Sequence, residues 1–246
     1  CMGATGPRSI AGAVLVGNAE SLSGLVLHQH VNAGAPFVYG VGVGSMDMRI
    51  MTDPYTGPDV LLAQQAGADM ARFYGLPSFS YAGMSDSKTL DEQWSTEAAL
   101  TMAYGSLSRA TLLHDVGYLE SGLQSSYESI VLGDELVGYA RQFMREVPVD
   151  DYALALDEIR AAGPGGNHLG TKYTRRHHRE YWTPELLDHN MHDRWAAEGA
   201  TTLGQRVRER LVALLAAEAP FTLSPEQDSR LQAILGAALA DQGARV

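Results

Sequence analysis

Residues 111–122 read TLLHDVGYLESG and pass abruptly from an apolar run into polar residues and glycine. The leading Leu112 and Leu113 are typical of a buried strand. Four side chains that can bind a ligand or take part in catalysis then follow in close succession: His114, Asp115, Tyr118 and Glu120. In folds built from parallel strands, functional side chains gather at the carboxyl ends of the strands, where the loops are free to vary. This stretch is therefore predicted to form one wall of a site.

The same order of strand, loop and helix precedes this stretch three times. Glycine and proline punctuate the repeats, with Pro58 placed to begin a helix and Gly75 placed to end it. The predicted strands lie at residues 1–5, 36–43, 78–83 and 111–114, and the helices that follow them at 9–26, 58–74, 90–107 and 125–146. Strands that alternate with helices in this way predict an α/β fold with a parallel sheet.

Four such units are half of a closed barrel. A (β/α)8 TIM barrel needs eight units, and four alone would leave two open sheet edges. We therefore expect residues 1–147 to be the last four βα units of a TIM barrel, its first half being absent, disordered or supplied by another copy. Residues 148–246 are predicted to be an all-helical C-terminal extension, with helices at 151–162, 184–198, 202–219 and 225–240.

The composition indicates a folded, soluble protein, with 45% hydrophobic and 19% charged residues. A net charge of -11 argues against nucleic acid as a partner, because binding to phosphates needs clustered Lys and Arg. We see no apolar run near the roughly 20 residues that span a bilayer and no signal peptide, so a cytoplasmic protein with no membrane partner is predicted.

Cys1 is the only cysteine, which leaves too few thiols for an internal disulfide or a zinc site. His189 and His192 lie three residues apart, but without a second pair of suitable ligands no metal is expected. A chain that begins with Cys1 is interpreted as cut upstream. The other interpretation, an N-terminal nucleophile hydrolase, is disfavoured because this sequence alternates its strands with long helices.

Several runs of sequence resemble the carboxyl-terminal half of the trimethylamine methyltransferase family. They occur in the family's order up to about Leu215, and they are GATGPRSIAGAVLVGNAE, GMSDSKTLDEQ, GYLESGLQSSYESIVLGDELVGYARQF and GPGGNHLGTKYTRRHHREYW. The resemblance implies a (β/α)8 barrel that moves a methyl group from a methylated amine to the cobalt of a separate corrinoid protein. The corrinoid (cobalamin) would thus come from a partner. Because the sequence prints no pyrrolysine, which the founding methylamine enzymes carry, it is more similar to the glycine betaine branch, which uses quaternary amines.

Residues suited to a quaternary ammonium stand at the predicted strand ends. Aromatic faces attract such cations, and Tyr39, Tyr81 and Tyr118 occupy corresponding places in successive units, so they are predicted to form a cage. The alternative is that some of these rings pack under helices with only the hydroxyl exposed. Four acids in or beyond the strand-end loops are candidates to neutralise the cation: Asp47, Asp86, Asp115 and Glu120. Of these, Asp86 in SDSK is the one most readily explained as a helix cap.

The catalytic candidates are His114, Asp115 and Glu120, with His114 predicted to hydrogen-bond a substrate carboxylate or amine, or else to be a satisfied core histidine. Arg49 is predicted to pair with the carboxylate of a betaine. The basic run at 172–179 is interpreted as a structural or partner-docking surface. We also expect a homo-oligomer, because open sheet edges favour self-association.

Two other functions remain open. The first is a catalytically incomplete or degenerate relative that acts as a module binding an amine or betaine. An unrelated barrel lyase or aldolase would need a reactive lysine at a strand end, and the four predicted strands contain none. The interpretation we favour is a corrinoid-dependent amine methyltransferase.

Overall fold

A computed structural model describes residues 1–217 and 222–243. Within these ranges the helices are α1 Ile10–Val31, α2 Pro58–Tyr74, α3 Glu92–Ser108, α4 Tyr127–Phe143, α5 Leu156–Ala162, α6 Lys172–His177, α7 His192–Ala197, α8 Leu203–Ala216 and α9 Pro225–Gly243. The strands are β1 Phe79–Tyr81, β2 Leu112–His114, β3 Tyr118–Leu119 and β4 Gln124–Ser125. The chain therefore mixes helix and sheet, as an α/β fold requires.

Extended segments pair in parallel and in chain order. β1 pairs with β2 in the register Phe79↔Leu112 and Tyr81↔His114. One step earlier, Tyr39 pairs in parallel with Ser78 at the start of β1, and Met2 pairs with Ser45. The predicted strand at 36–43 is thus extended, although it joins its neighbours only by isolated bridges. The four predicted strand segments follow one another across the sheet.

The helices α1 to α4 cover one face of these segments. Their ends follow the sequence closely: Ser9 caps α1 by accepting from the Gly12 amide, and Pro58 begins α2. Gly75 ends α2 in the left-handed conformation, which glycine adopts without steric cost. Consecutive helices pack against each other in chain order. Residues 1–143 thus alternate extended segments with helices, although only two of the four predicted segments, β1 and β2, pair as parallel strands.

Two apolar cores separate the extended segments from the helices. The first joins Tyr39, Val41 and Val43 to side chains of α1 and α2, including Val60. The second lies under β1 and β2 and contains Ala82, Met102 and Ala140. Because both cores lie on the helical side, the opposite face of the sheet is left free to carry a pocket.

Helix α1 contradicts the expectation that no apolar run is long enough to span a bilayer. It spans 22 residues and contains an 18-residue window of mean hydropathy 1.5, so it is long and apolar enough to cross a membrane by length and composition alone. Its Asn18 donates to the Tyr74 hydroxyl at 3.2 Å, and Ser21 donates to the Gly40 carbonyl at 2.5 Å. One face of α1 therefore packs on α2 and on the extended segment near Gly40.

The region after α4 is helical but more irregular than predicted. The helix expected at 184–198 is wrong in its first half, since α7 begins only at His192. Instead, the buried Glu135 of α4 accepts the backbone amides of Glu185, Leu186 and Leu187 at 3.2, 2.7 and 3.0 Å. These hydrogen bonds give three successive backbone N–H groups an acceptor in a segment where no helix supplies one.

The helix expected at 151–162 is also shorter than predicted and begins at Leu156. Residues Cys1–Leu211 form one compact unit, so most of the predicted extension belongs to the same unit as the βα repeats. A second unit begins at Val212.

Candidate functional site

Glycines line the free face of the sheet and form the floor of the site. In the extended segment at 39–45, Tyr39, Val41 and Val43 point into the helical core, so Gly40, Gly42 and Gly44 must face the other way. A Cβ on Gly40 would lie 2.3 Å from the ring of Phe79, and one on Gly44 would lie 2.3 Å from the Asp53 carboxylate. Nothing lies within 4 Å of the corresponding point at Gly42. The floor is therefore covered at both ends and open in the middle.

β1 and β2 supply one wall. Phe79 and Tyr81 are two residues apart on β1 and share a face, while Ser80 between them is buried on the helical side. Tyr81 is the register partner of His114, and the two rings meet edge to face with centroids 6.4 Å apart. The ring of Phe79 lies 5.2 Å from that of His114. The three rings form a continuous aromatic surface.

The long loop after the glycine segment extends this wall. Asp53 accepts the Ser45 amide at 2.7 Å, which fixes its carboxylate over Gly44. Two residues later, the ring of Tyr55 lies nearly parallel to that of Tyr81, with centroids 5.9 Å apart and planes 19° apart. The loop thus adds one acid and one aromatic ring to the site.

Together these elements enclose a pocket of about 240 Å³. Its lining combines aromatic rings, small residues and polar groups from all three sources: Val41, Gly42, Val43, Gly44, Asp53, Tyr55, Gln64, Phe79, Ser80, Tyr81, His114 and Asp115. The volume lies below the roughly 300–1,000 Å³ common for drug-sized ligands, so the pocket suits a small molecule.

His114 and Asp115 form a hydrogen-bonded pair at the end of β2. Nδ1 of His114 lies 2.6 Å from Oδ1 of Asp115. Asp115 adopts a φ of 69°, in the left-handed region that Asp tolerates better than most residues. This turn of the backbone brings the Asp115 side chain back to the imidazole, so two of the three predicted catalytic residues line the pocket.

The electrostatics of the pocket favour positive charge. Burial, the largest cause, together with the negative charges of Asp53 and Asp115, raises the pKa of the Tyr81 hydroxyl well above its usual value. Tyr81 therefore stays neutral at physiological pH and presents an aromatic face beside two carboxylates. This combination of a π surface and negative charge is the environment that a cation prefers.

Two of the three predicted cage tyrosines lie elsewhere. Tyr39 is fully buried in the helical core, where its hydroxyl donates to Asn18 at 2.8 Å. Burial, aided by the nearby Tyr74, raises the Tyr39 pKa to about 12. Tyr118 lies on the β3–β4 hairpin, outside the pocket lining. The structure therefore does not bring Tyr39 or Tyr118 together with Tyr81 in this pocket, and the ring that stacks with Tyr81 is that of Tyr55.

The remaining predicted site residues have other partners. Arg49 is paired with Asp47 through two side-chain hydrogen bonds of 3.0 and 2.6 Å, and this pair lies at a separate surface cavity beside Arg8. The hydrogen bonds from Arg49, aided by its charge, lower the pKa of Asp47 to about 2. Glu120 accepts from Gln124 in the turn between β3 and β4. The structure therefore does not bring Asp47, Arg49 or Glu120 into the pocket.

Asp86 also lies outside the pocket lining. Its carboxylate accepts hydrogen bonds from Tyr55, Thr56 and Ser121. Burial raises the pKa of this carboxyl, but those hydrogen bonds outweigh it and lower the pKa overall. The substrate-binding role predicted for Asp86 is therefore replaced by a contact with the loop that carries Tyr55. Nor is Asp86 the cap of α3, since that position belongs to Asp91.

A larger cavity of about 570 Å³ lies beyond the hairpin, lined by residues that include Lys88, Leu119, Glu128 and Arg208. It has no aromatic residue in its lining and balances two basic against two acidic side chains, Glu209 being the second acid. The smaller pocket is the better candidate because it joins aromatic rings, two carboxylates and a histidine.

Sequence reasoning missed Asp53, Tyr55 and Phe79. Asp53 and Tyr55 flank Pro54 in the long loop at 44–57, which has no periodicity to reveal its path. The one signal was its position, since it follows a predicted strand end. Phe79 could have been predicted from the sequence, because side chains alternate along a strand and Phe79, two residues before Tyr81, lies on the same face.

Comparisons with known proteins identify sequences that are similar to this chain. A family model described as trimethylamine methyltransferase matches residues 1–238. The glycine betaine methyltransferase of Desulfitobacterium hafniense strain Y51 is 39% identical over 95% of this chain and 49% of its own length. Two proteins named trimethylamine methyltransferase are 32% and 33% identical. The first, from Desulfitobacterium hafniense strain DSM 10664 / DCB-2, aligns with 95% of this chain and 47% of its own length. The second, from Methanosarcina thermophila, aligns with 87% and 44%. The chain spans about half the length of these curated relatives.

Proposed function

The chain belongs to the trimethylamine methyltransferase family, and on that premise we propose that its pocket binds a methylated or quaternary amine for methyl transfer to the cobalt of a corrinoid protein. The names of the relatives support the proposed amine methyltransferase activity. The activity, the identity of the amine, the corrinoid acceptor and the roles of the residues below are all parts of this proposal.

The observation that carries the proposal is the pairing of aromatic rings with carboxylates in one small pocket. Tyr55 and Tyr81 stack at 5.9 Å, and Asp53 and Asp115 line the same pocket. Each aromatic face contributes about 0.5–2 kcal/mol to binding an ammonium ion, depending on its desolvation. Carboxylates nearby add attraction that falls with screening by water and salt.

The chemistry needs orientation more than proton transfer. A quaternary ammonium leaves as a neutral tertiary amine, so no general acid is required at nitrogen. The cobalt of the corrinoid supplies the nucleophile. The residues of this chain then have two tasks, to hold the cation against the aromatic wall and to keep one methyl group pointing out of the pocket. The stacked rings of Tyr55 and Tyr81, beside the glycines of the same pocket, suit both tasks.

His114 is proposed to orient the rest of the substrate. Its Nδ1 is engaged with Asp115, and its ring lies beside Tyr81. With Nδ1–H donated to Asp115, the other nitrogen, Nε2, accepts a hydrogen bond in the neutral imidazole and donates one only in the imidazolium form. In the imidazolium form Nε2 would bind the carboxylate of a betaine. The separation of a cationic end at the tyrosines from an anionic end at His114 would distinguish a betaine from a simple tetraalkylammonium.

A quaternary amine is the proposed substrate class. The identity to the glycine betaine methyltransferase is 39%, against 32% and 33% for the two trimethylamine methyltransferases above. The absence of pyrrolysine from the printed sequence supports the same choice.

The open face of the sheet supports a partial barrel. Val38, Phe79 and Leu112 are all at least 41% exposed, and Val38 and Phe79 lie on the face opposite the helical cores. Exposed apolar groups in a row are usually covered in the functional protein. The chain also spans about half of its relatives, so further βα units that complete a (β/α)8 barrel are the proposed cover. A second copy of the chain is the alternative cover, and it would make a homo-oligomer.

Methyl transfer is the test. The chain is incubated with glycine betaine or trimethylamine and reduced cob(I)alamin, and formation of methylcobalamin is followed by absorbance. Transfer from glycine betaine in preference to trimethylamine is the expected result. If neither amine, nor any of a panel of betaines, yields methylcobalamin, the catalytic proposal is wrong for this chain.

The second candidate function is an amine-binding module without transfer activity. It is favoured by one observation, that the stacked rings and the two carboxylates that would hold an ammonium ion all lie in one pocket of this chain. Isothermal titration with glycine betaine separates the two candidates, because a module would bind the ligand while producing no methylcobalamin.

A further inference from the structure

The carboxylate of Asp86 is saturated by hydrogen bonds from two other loops. Its Oδ1 accepts the Tyr55 amide at 2.9 Å and the Ser121 hydroxyl at 2.6 Å. Its Oδ2 accepts the amide and the hydroxyl of Thr56, at 3.0 and 2.5 Å. One half-buried side chain therefore ties the loop that carries Tyr55 to the turn after β3.

Asp86 is itself anchored to helix α3. Its amide donates to Oε2 of Glu97 at 2.9 Å, and the same oxygen accepts the Ser85 hydroxyl at 2.6 Å. Glu97 lies on the second turn of α3, whose N-cap is Asp91. A chain of hydrogen bonds thus runs from a rigid helix, through Asp86, to the backbone at Tyr55.

The turn on the other side of Asp86 is held in an unfavourable conformation. Glu120 and Ser121 are both left-handed, with φ of 49° and 52°. Non-glycine residues keep this conformation only where their surroundings determine it. Gly122, which follows, lies against two rings, since a Cβ there would be 3.3 Å from Tyr55 and 3.4 Å from Tyr118. The turn thus supports the ring of Tyr55 from behind.

We propose that Asp86 is a positioning residue that acts through Tyr55, holding that ring against Tyr81 so that the two form one wall of the amine pocket. The inference rests on the proposed function, in which this wall binds the ammonium group. Asp86 does not touch the ligand. It replaces the mobility of a long loop with a fixed backbone position, and a pre-positioned aromatic face binds a cation with less loss of entropy.

Asp86→Asn is the central variant because it keeps the size of the side chain. An amide has one acceptor oxygen, so its NH₂ group must face at least one of the donors that Asp86 now accepts. Asp91→Asn is the matched control. Asp91 also accepts from a backbone amide and from a serine, namely Trp94 and Ser87, but it has no contact with the pocket.

Two measurements are made on the full chain. The first is the dissociation constant of tetramethylammonium and of glycine betaine, by isothermal titration. Asp86→Asn is expected to weaken binding by about 2- to 30-fold, the range for loss of one aromatic face, while Asp91→Asn leaves the affinity unchanged. The second is hydrogen exchange by NMR, in which the amides of Tyr55 and Thr56 are expected to exchange faster by about tenfold only in Asp86→Asn.

A double-mutant cycle decides whether Asp86 acts through Tyr55. In a Tyr55→Ala background, Asp86→Asn is expected to have no further effect on affinity, because the ring that it positions is gone. An additive effect would show that Asp86 acts on the ligand directly and would overturn the inference. Unchanged affinity together with unchanged exchange in Asp86→Asn would overturn it too.

Failure of the proposed function would look different. If the unmodified chain binds neither ligand, the proposed function is wrong, yet exchange at Tyr55 and Thr56 still shows whether Asp86 holds the loop. Should Asp86→Asn not fold, Ser121→Ala and Thr56→Val each remove a single hydrogen bond to Asp86. Each is expected to weaken ligand binding and speed amide exchange at Tyr55 and Thr56 by less than Asp86→Asn. Slow exchange in both of these variants would count against the inference.

Discussion

The rings of Tyr55 and Tyr81 stack with their centroids 5.9 Å apart and their planes 19° apart, although one lies on a long loop and the other on β1. Two aromatic faces from different parts of the chain thus form one wall. Asp53 and Asp115 stand on the same pocket, so the wall lies in a field of negative charge. This relationship leads to the first two predictions.

Replacement of Tyr55 by alanine is expected to weaken tetramethylammonium binding by about 2- to 30-fold, because one cation–π contact is lost. Tyr55→Phe keeps the ring and should bind nearly as well as the unmodified chain. Isothermal titration measures both. Tyr127→Ala, at an exposed tyrosine away from the pocket, is the control. Equal losses in Tyr55→Phe and Tyr55→Ala would mean that the hydroxyl, and not the aromatic face, binds the ligand.

Loss of the charge at Asp53 is expected to affect cations selectively. Asp53→Asn retains an oxygen that can accept the Ser45 amide, so the loop should keep its place. Affinity for choline should fall about three- to tenfold after allowance for screening by solvent. Affinity for 3,3-dimethyl-1-butanol, its uncharged analogue, should not change. If both ligands lose affinity equally, Asp53 has a structural role and does not attract the cation.

Two glycines on the same floor are expected to respond in opposite ways. Gly42→Val meets nothing within 4 Å, so the protein should fold normally while the new side chain fills the pocket and abolishes ligand binding. Gly40→Ala would clash with Phe79 and should lower the free energy of unfolding by about 1–3 kcal/mol. Urea denaturation and titration measure the two effects. Normal binding by Gly42→Val would place the ligand somewhere else.

Tyr39 is expected to make stability fall at alkaline pH. Burial, followed by the proximity of Tyr74, raises its pKa from 10.0 to about 12, so the folded state holds this proton more tightly than the unfolded state. The contribution is fully present below pH 10 and is lost as the pH rises through about 12. Urea denaturation at pH 8 and pH 11 should show that the stability gap between the unmodified chain and Tyr39→Phe narrows with pH. Tyr127→Phe, at an exposed ring, should show no such narrowing.

Glu135 is expected to matter for stability and not for ligand binding. Its carboxylate accepts three successive amides, from Glu185 to Leu187, inside a buried contact. Glu135→Ala should lower the free energy of unfolding by about 3 kcal/mol, since hydrogen bonds to a charged group are strong and the amides would lose their acceptor. Asp134→Ala, one residue away and exposed, should change it by less than about 0.5 kcal/mol. A similar free energy of unfolding for the two variants would contradict this role.

Local signals in the sequence predicted helices α1 to α4 and the order of the strands. Pro58, Gly75 and the cap at Ser9 act within a few residues of the helix ends, so their effect can be read locally. The position of His114 and Asp115 at a strand end followed from the same local pattern. The helix expected at 184–198 begins only at His192, and the amides of residues 185–187 bind Glu135, a contact over about 50 residues that no local pattern reveals.

Long-range packing determines which tyrosine rings come into contact. Tyr39 and Tyr81 both stand at predicted strand ends, but side chains alternate between the two faces of a sheet. Tyr39 shares the parity of Val41 and Val43 and enters the helical core, whereas Tyr81 faces the pocket. Tyr55 could not be found in this way, because a long loop has no period, and its path depends on the distant hydrogen bonds to Asp86. Local pattern therefore specified the elements, and long-range contacts selected the residues of the site.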